Sequence, residues 1–273
     1  FDSCRKLLGL DVSGFNTANV TDMKYMFNNC EQLPVLDVSK FNTGNVTNMK
    51  CMFYGCSKLT SLDVSNFNTQ KVTITNSMFY SCSGLTALDL SNFDTENVTD
   101  MSYMFLDIEI EKLDLSNFNT SKVTNMSSMF LGCSKLTSLK LCSFDTSKVT
   151  SMYSMFESTS KLTKVYVGPK WTTANATTTN MFNNSGVSAV TQSNTCELDV
   201  YGIAINNISS SATVNSITLV TDASSKSGSI TKHEFSKDNG KTWINNGSNN
   251  TYEFTGLTKN TDYKLKVRVT NSN

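Results

Sequence analysis

The dipeptide Met-Phe begins at positions 26, 52, 78, 104, 129, 155 and 181, a step of 26 residues taken five times and of 25 taken once. Two further columns keep the same step: Phe15, Phe41, Phe67, Phe93, Phe118 and Phe144 of the "NF(N/D)T" segment, and Val20, Val46, Val72, Val98, Val123 and Val149 of "VT". Self-similarity at a fixed period of this size marks a stacked array, because one unit cannot bury its apolar face alone and must pack on the next. The one short step lies in "FLDIEIEKL". Loss of a residue is tolerable in a turn, whereas in a strand it would move every later side chain to the other face.

Two periodicities run within each unit. In "LTSLDVSNF", Leu59, Leu62 and Val64 alternate with Ser61, Asp63 and Ser65, the pattern of a short strand with one face in the core. In "VTNMSSMFLGCSKL", Met126, Met129, Phe130 and Cys133 fall at i, i+3, i+4 and i+7. That spacing predicts a helical face of about two turns, capped by Thr124 and ended near Gly132. Stacked units then give one parallel sheet with short helices as the opposite wall. The seventh unit frays: Trp171 stands where the others have Phe, and "TTANATTTN" loses the Val and the first Met before Met181-Phe182 restores the step. A more polar terminal unit of this kind protects an open core.

The pattern L-x-x-L-D-(V/L)-S-x-F-(N/D)-T-x-x-V-T-x-M-x-x-M-F-x-x-C, carried by residues 59 to 82 with Thr75 in place of the first Met, resembles the 26-residue bacterial surface-protein repeat of the BspA-like leucine-rich group. The likeness covers about residues 1 to 185. It implies a leucine-rich-repeat-like solenoid on a secreted or wall-attached bacterial protein, a group often implicated in adhesion. It supplies no shared set of functional residues.

Other features narrow the function. Lys plus Arg and Asp plus Glu number 23 each, so no net field concentrates nucleic acid or anionic lipid. Charged residues are only 17 %, and Ser, Thr and Asn fill the polar positions, a bias common in extracellular proteins. No apolar run of about 18 residues is present, so no membrane insertion is expected of this segment. Phe1 falls inside a repeat. The expectation is therefore a cut N-terminal edge, with signal and anchor outside this sequence.

Cys4, Cys30, Cys56, Cys82 and Cys133 share one slot. Stacked about 4.8 Å apart, they are near enough for disulfides, but parallel Cα–Cβ vectors and Thr159 and Ser185 in the same slot suit a reduced packing ladder. Both readings stand. No CxxC pair or histidine partner suggests a metal site. Cys51, Cys142 and Cys196 have no repeat partner.

On the strand, Asp11, Asp37, Asp63, Asp89 and Asp114 form an outward column, followed by Lys140 and Tyr166. Like charges at strand spacing repel by about 1 kcal/mol per neighbour in water, so something offsets them. Either neighbouring Ser, Thr and backbone N–H groups hold these carboxylates, or they form a ligand-binding row that recruits calcium, another cation or a hydroxyl-rich ligand. Adjacent carboxylates also raise a retaining glycosidase. Against it, the carboxylates are alike in every unit, so nothing separates acid from base, and the flanking Gly9, Val35, Ser61 and Ala87 offer no sugar-stacking surface.

From Glu197 the period vanishes and alternating segments follow: "LDVYGIAI", "ATVNSITLV", "SITKHEFS", "TYEFTGL" and "YKLKVRVT", with a hairpin turn at Asp238-Asn239-Gly240. "GLTKNTDYKLKVRVTNSN" resembles the end of a fibronectin type III or related Ig-like module, which implies core and corner roles for Leu257 and Tyr263. At about 77 residues the module is short, and an absent last strand would leave an open edge. His233, the only histidine, reads as a surface strand residue. Asn-X-Thr triplets at Asn19, Asn45 and Asn97 read as by-products of the repeat, unmodified in a bacterium.

The expected organisation is thus an α/β repeat solenoid over residues 1–196, ending in a degenerate capping unit, and a small all-β sandwich over 197–273. The expected function is a non-enzymatic, cofactor-free adhesin at the bacterial cell surface. It would present the solenoid face to a host or bacterial surface protein or glycan, with the Ig-like module as spacer. A purely structural stalk or surface-layer scaffold is the alternative, and a polysaccharide-active enzyme the third reading.

Overall fold

A computed structural model of the chain describes residues 1–193, 203–213, 215–225, 229–259, 261 and 263–271. The chain forms two compact units, Phe1–Cys196 and Glu197–Asn273.

In the first unit each 26-residue period makes one coil. Equivalent residues of successive coils meet through parallel bridges that run from Asp22 through Asn48, Ile74, Asp100, Asn125 and Ser151 to Thr177. The Met-Phe column stacks: from Phe1 through Phe27, Phe53, Phe79, Phe105, Phe130 and Phe156 to Phe182, neighbouring ring centroids lie 5.5 to 6.0 Å apart and nearly coplanar. Around it one continuous core buries the leucine, valine and second phenylalanine columns. Trp171 is buried in the Phe slot and repeats that slot's backbone turn, its N–H bonded to Gly168.

The leucine segments alternate as expected, with Leu62 and Val64 buried and Ser61 and Asp63 exposed. Among the described residues of this unit, however, ladder strands occur only from the fifth leucine segment onward: β1 (Lys112–Asp114), β2 (Ser138–Leu141), β3 (Lys164–Val167) and β4 (Thr191–Gln192), a parallel sheet in that order. Earlier segments are extended but carry fewer inter-coil bonds. Pro34 contributes to this, since it has no N–H to donate. The shortened coil keeps register: Ile108 and Ile110 fill the core in place of the usual Cys and Leu, and Leu113 still faces Leu139.

The expected helices are absent among the described residues, and the hydrogen bonds show why. In residues 126–133, the N–H groups of Met126, Ser128, Phe130 and Gly132 donate to Ser151, Tyr153, Met155 and Glu157 of the next coil at 2.7 to 3.0 Å. Those of Met129, Leu131 and Cys133 close turns on Met126, Ser128 and Phe130 at 3.2 to 3.3 Å. Ser128 (φ 53) and Gly132 (φ 72) are left-handed, a conformation no α-helix admits. The segment is a string of turns whose alternate amides are spent between coils, and its 3-4-7 spacing comes from turn geometry.

Side chains bond the remaining corners. Thr43 Oγ1 donates to Asn68 O (3.0 Å) and accepts the Asn68 amide (2.7 Å), so a hydroxyl stands in for a backbone bridge. Thr17, Thr69, Thr95 and Thr120 repeat the reciprocal pair. The Asn66 amide donates to carbonyls of Val38, Ser39 and Phe41 one coil earlier, and Asn92 and Asn117 do likewise.

Among its described residues the second unit holds two antiparallel three-stranded sheets, built from β5 (Ile203–Ala212), β6 (Ile217–Ser225), β7 (Ile230–Ser236), β8 (Ile244–Asn245), β9 (Thr251–Phe254) and β10 (Lys266–Asn271). Their orders are β10-β7-β8 and β5-β6-β9. Residues 198–202 of the first expected strand lie outside the described residues. Leu219, Phe235, Phe254 and Leu257 form the core. Asn239 (φ 64) and Gly240 (φ 86) make the expected turn between β7 and β8, fastened by Asp238, which accepts from the Thr242 amide and hydroxyl and from Ser236 Oγ. Arg268 grips Glu234 with two bonds of 2.8 and 2.9 Å and lies 4.3 Å over the Trp243 ring. The Tyr263 hydroxyl accepts the Thr258 amide at 2.9 Å, a corner tie of the kind sandwiches use.

Candidate functional site

The aspartate column lies on the exposed side of the leucine segments, and each member does the same local work. Asp11, Asp37, Asp63, Asp89 and Asp114 accept the amide of the serine two residues on, at 2.8 to 2.9 Å. The short carboxylate mimics a turn carbonyl and reverses the chain toward the Phe corner. The hydroxyls and amides of Ser13, Ser39 and Ser65 hold the Asp11, Asp37 and Asp63 carboxyls below their ordinary range, and like-charge repulsion from Asp37 ranks last among the influences on Asp11 and Asp63. In register beside Asp114 stands Lys140, and beside that Tyr166. Among the described residues, no three His, Cys, Asp or Glu side chains converge as metal ligands do.

The shared-slot cysteines are free thiols. Cys30, Cys56, Cys82 and Cys133 donate to the carbonyls of Phe1, Phe27, Phe53 and Phe105 one coil earlier, at 3.0 to 3.3 Å. Burial pushes the Cys56 thiol up to about 12 and raises Cys30, Cys82 and Cys133 as well. These sulfurs are packing and hydrogen-bonding groups, poor as nucleophiles. Thr159 bonds its hydroxyl to Phe156 O and to Ser185 in the same slot. Cys142, outside the slot, is disulfide-bonded, which its lack of a repeat partner did not announce; Cys196 lies outside the described residues.

His233 corrects the sequence expectation: it is 4 % exposed rather than on the surface, stacked on Phe235 with neither ring nitrogen hydrogen-bonded. On β7 it lies two residues from Phe235 of the core, in a stretch from His233 to Ser236 that is buried throughout. The Asn-X-Thr asparagines serve the coils: Asn45 and Asn97 donate to Ala18 O and Gln70 O and accept from Lys71 and Lys122.

What the sequence reading missed is the turn side of the coils. Tyr25 and Tyr103 are 36 % and 38 % exposed, and Tyr54 and Tyr80 are half-buried with ring centroids 4.5 Å apart at 62°. The available signal was that these turn slots differ from coil to coil, while the Asp, Thr and Phe columns hardly change.

These features define a repeat protein of in-register coils joined by backbone and side-chain ladders. A family model described as "Mycoplasma protein of unknown function, DUF285" matches residues 1–115 and 82–195; the chain belongs to that family. It is a family of surface proteins, which suggests a location at the cell surface. No curated protein and no solved structure matches the chain significantly. Among the described residues, no helix is long and apolar enough to cross a membrane.

Proposed function

We propose that the chain is a non-enzymatic adhesin of the cell surface: a leucine-rich-repeat-like solenoid that displays a recognition face, followed by a fibronectin type III or Ig-like spacer. The observation that carries this reading is where the coils differ. Slots that build the array repeat: Asp11 to Asp114 in the turn, Thr17 to Thr146 in the reciprocal bond, Phe27 to Phe182 in the stack. Turn-side slots vary, reading Tyr25, Cys51, Ser77, Tyr103 and Ser128 in one column and Asn28, Tyr54, Tyr80, Leu106 and Leu131 in the next. Variation on a fixed frame is how a stacked array distinguishes one partner from another. The uniform aspartate column favours a second reading, a stalk or scaffold whose polar face serves the frame alone. That uniformity also speaks against a glycosidase, since every carboxylate has the same surroundings.

The test is a glycan and host-matrix protein array probed with the 273-residue chain, with and without calcium. Saturable binding to a defined subset is the expected result, and calcium dependence would place the contact on the aspartate row. Blank arrays at high loading would leave the scaffold reading.

A further inference from the structure

The array ends on a row of amides that every earlier coil spends on its neighbour. Met23, Tyr25, Phe27 and Asn29 donate to the carbonyls of Asn48, Lys50, Met52 and Tyr54, and the same four slots repeat these bonds coil by coil. The last to do so are Met152, Ser154, Phe156 and Ser158, which donate to Thr177, Thr179, Met181 and Asn183 at 2.8 to 2.9 Å. In the seventh coil the slots hold Thr178, Asn180, Phe182 and Asn184, and none of their amides has a partner among the described residues. Two hydroxyls end in the same way. Thr146 Oγ1 makes the reciprocal bond with Thr172, and Thr75 Oγ1 donates to Asp100 O; the hydroxyls of Thr173 and Thr178, in those same two slots, have no partner among the described residues. Beyond Ser185 the described chain returns to the leucine side, where β4 pairs with β3.

This edge differs in polarity from the edge of a sheet. A strand edge offers both N–H and C=O groups, whereas here donors alone remain, because the carbonyls of Thr177, Thr179, Met181 and Asn183 are taken by the sixth coil. Asn180 (φ 58) and Asn184 (φ 54) are left-handed, a setting in which neighbouring amides gather positive potential. The side chains reinforce it: from residue 158 to residue 196 the sequence carries Lys161, Lys164 and Lys170 and no Asp or Glu. Lys170 pairs with Asp145 at 3.5 Å; Lys161 is exposed and joins no ion pair. The row borders an open recess of about 400 Å³ lined by Thr173, Thr178, Asn180, Met181, Phe182 and Asn183.

Such an edge calls for acceptors without donors, and the carboxylates of Asp and Glu are acceptors only. A polypeptide suits it better than a free anion, because at every earlier junction the row meets the carbonyls of a chain running alongside. An added β-strand suits it poorly, since some of its N–H groups would face N–H groups.

We propose that the amide edge of the seventh coil, from Thr178 to Asn184, is a docking site for an acidic segment of a partner protein, whose carboxylates accept from the row. The proposal goes beyond the adhesin reading, because a scaffold would carry the same edge.

An oligoglutamate peptide titrated into the isotopically labelled full chain at low ionic strength, followed by amide NMR shifts, tests it. Saturable shifts at Thr178, Asn180, Phe182 and Asn184 that weaken with salt are expected. The amides of Cys51 and Phe53, already bonded to the next coil, should not move, and oligolysine should shift none of the four. Asn180→Asp sets a negative charge beside the row at a positive φ that aspartate tolerates, and should raise Kd about two- to fivefold. Thr178→Pro deletes one amide where no following coil needs it, and should weaken binding by a similar factor. Lys161→Glu, an exposed charge reversal, replaces Thr178→Pro should the latter lose the parent's thermal transition. Shifts absent from the four amides, or equal affinity across all variants, overturn the site. So do shifts that follow the chain's own concentration without peptide, which would make a second copy the occupant. If the peptide binds while the glycan and matrix arrays are blank, this edge stands and the adhesin reading falls; if the arrays find a ligand and the peptide moves nothing, adhesion stands and the edge falls.

Discussion

The two units of this chain solve the same problem, burying apolar surface in a small β-rich body, in opposite ways. In the first, the main contacts recur: the Phe stack, the Thr reciprocal bond and the Asp turn are repeated coil after coil, so stability is largely a sum of like terms between neighbours. In the second, a small core around Leu219, Phe235, Phe254 and Leu257 is supplemented by single devices, the Asp238 clasp, the Glu234–Arg268–Trp243 stack and the buried His233. Repetition frees the array's outer slots to vary without cost to the frame. The second unit has little such freedom, because most of its distinctive polar groups are holding it together.

That contrast can be broken or sharpened by substitution. The largest effect is expected from Phe79→Ala, which opens the ring stack at a fully buried position and should destabilise the array by about 3–5 kcal/mol; calorimetry would register it, and an unchanged array transition would contradict the stack's role. Thr69→Val comes next. It removes the hydroxyl that both donates to Asp94 O and accepts the Asp94 amide, and stranding those partly buried groups should cost about 1 kcal/mol in denaturant unfolding. For the second unit, Arg268→Met should cost about 1–2 kcal/mol, less than a buried pair because the arginine side chain is half exposed.

Acid should separate the units further. His233 is held neutral by burial, which lowers its pKa from the ordinary 6.5. Between 6.5 and that lower value the unfolded chain binds more protons, so the second unit should lose stability as pH falls through this window. The array, which has no histidine, should not, and His233→Phe should remove the slope. Lower still, Glu234, held to about 2 mainly by Arg268, should add a second loss as pH falls from about 4.5. The smallest effect is expected for Asp63→Asn, within about 0.5 kcal/mol, because an asparagine oxygen can accept the same Ser65 amide; a large loss would mean the carboxylate charge itself matters.

Much of the array was legible because its columns are one-dimensional. Met-Phe, Val-Thr and the alternating leucines mark core positions whatever the backbone does between them, and the Trp171 slot followed from register alone. The helix was misread because Met126, Met129, Phe130 and Cys133 keep the same spacing in a string of turns. A contrary signal was present in the slot of Asn29, Gly55, Ser81, Asp107, Gly132, Ser158 and Asn184, all at positive φ: residues that tolerate the left-handed region recur there and β-branched ones do not. His233 was misplaced since a single alternating strand does not say which face is inner. Tyr54 and Tyr80 went unnoticed because attention to repeats favours what recurs, and a recognition face consists of what does not.

The central claim is that coils bond to each other where a helix would bond to itself. Through-hydrogen-bond scalar couplings, measured by NMR on isotopically labelled protein, report the partner of each amide directly. A coupling from the Phe130 nitrogen to the Met155 carbonyl is expected, matching their 3.0 Å bond; a coupling from Phe130 to the carbonyl of Met126 instead would be the helical pattern and would contradict the account.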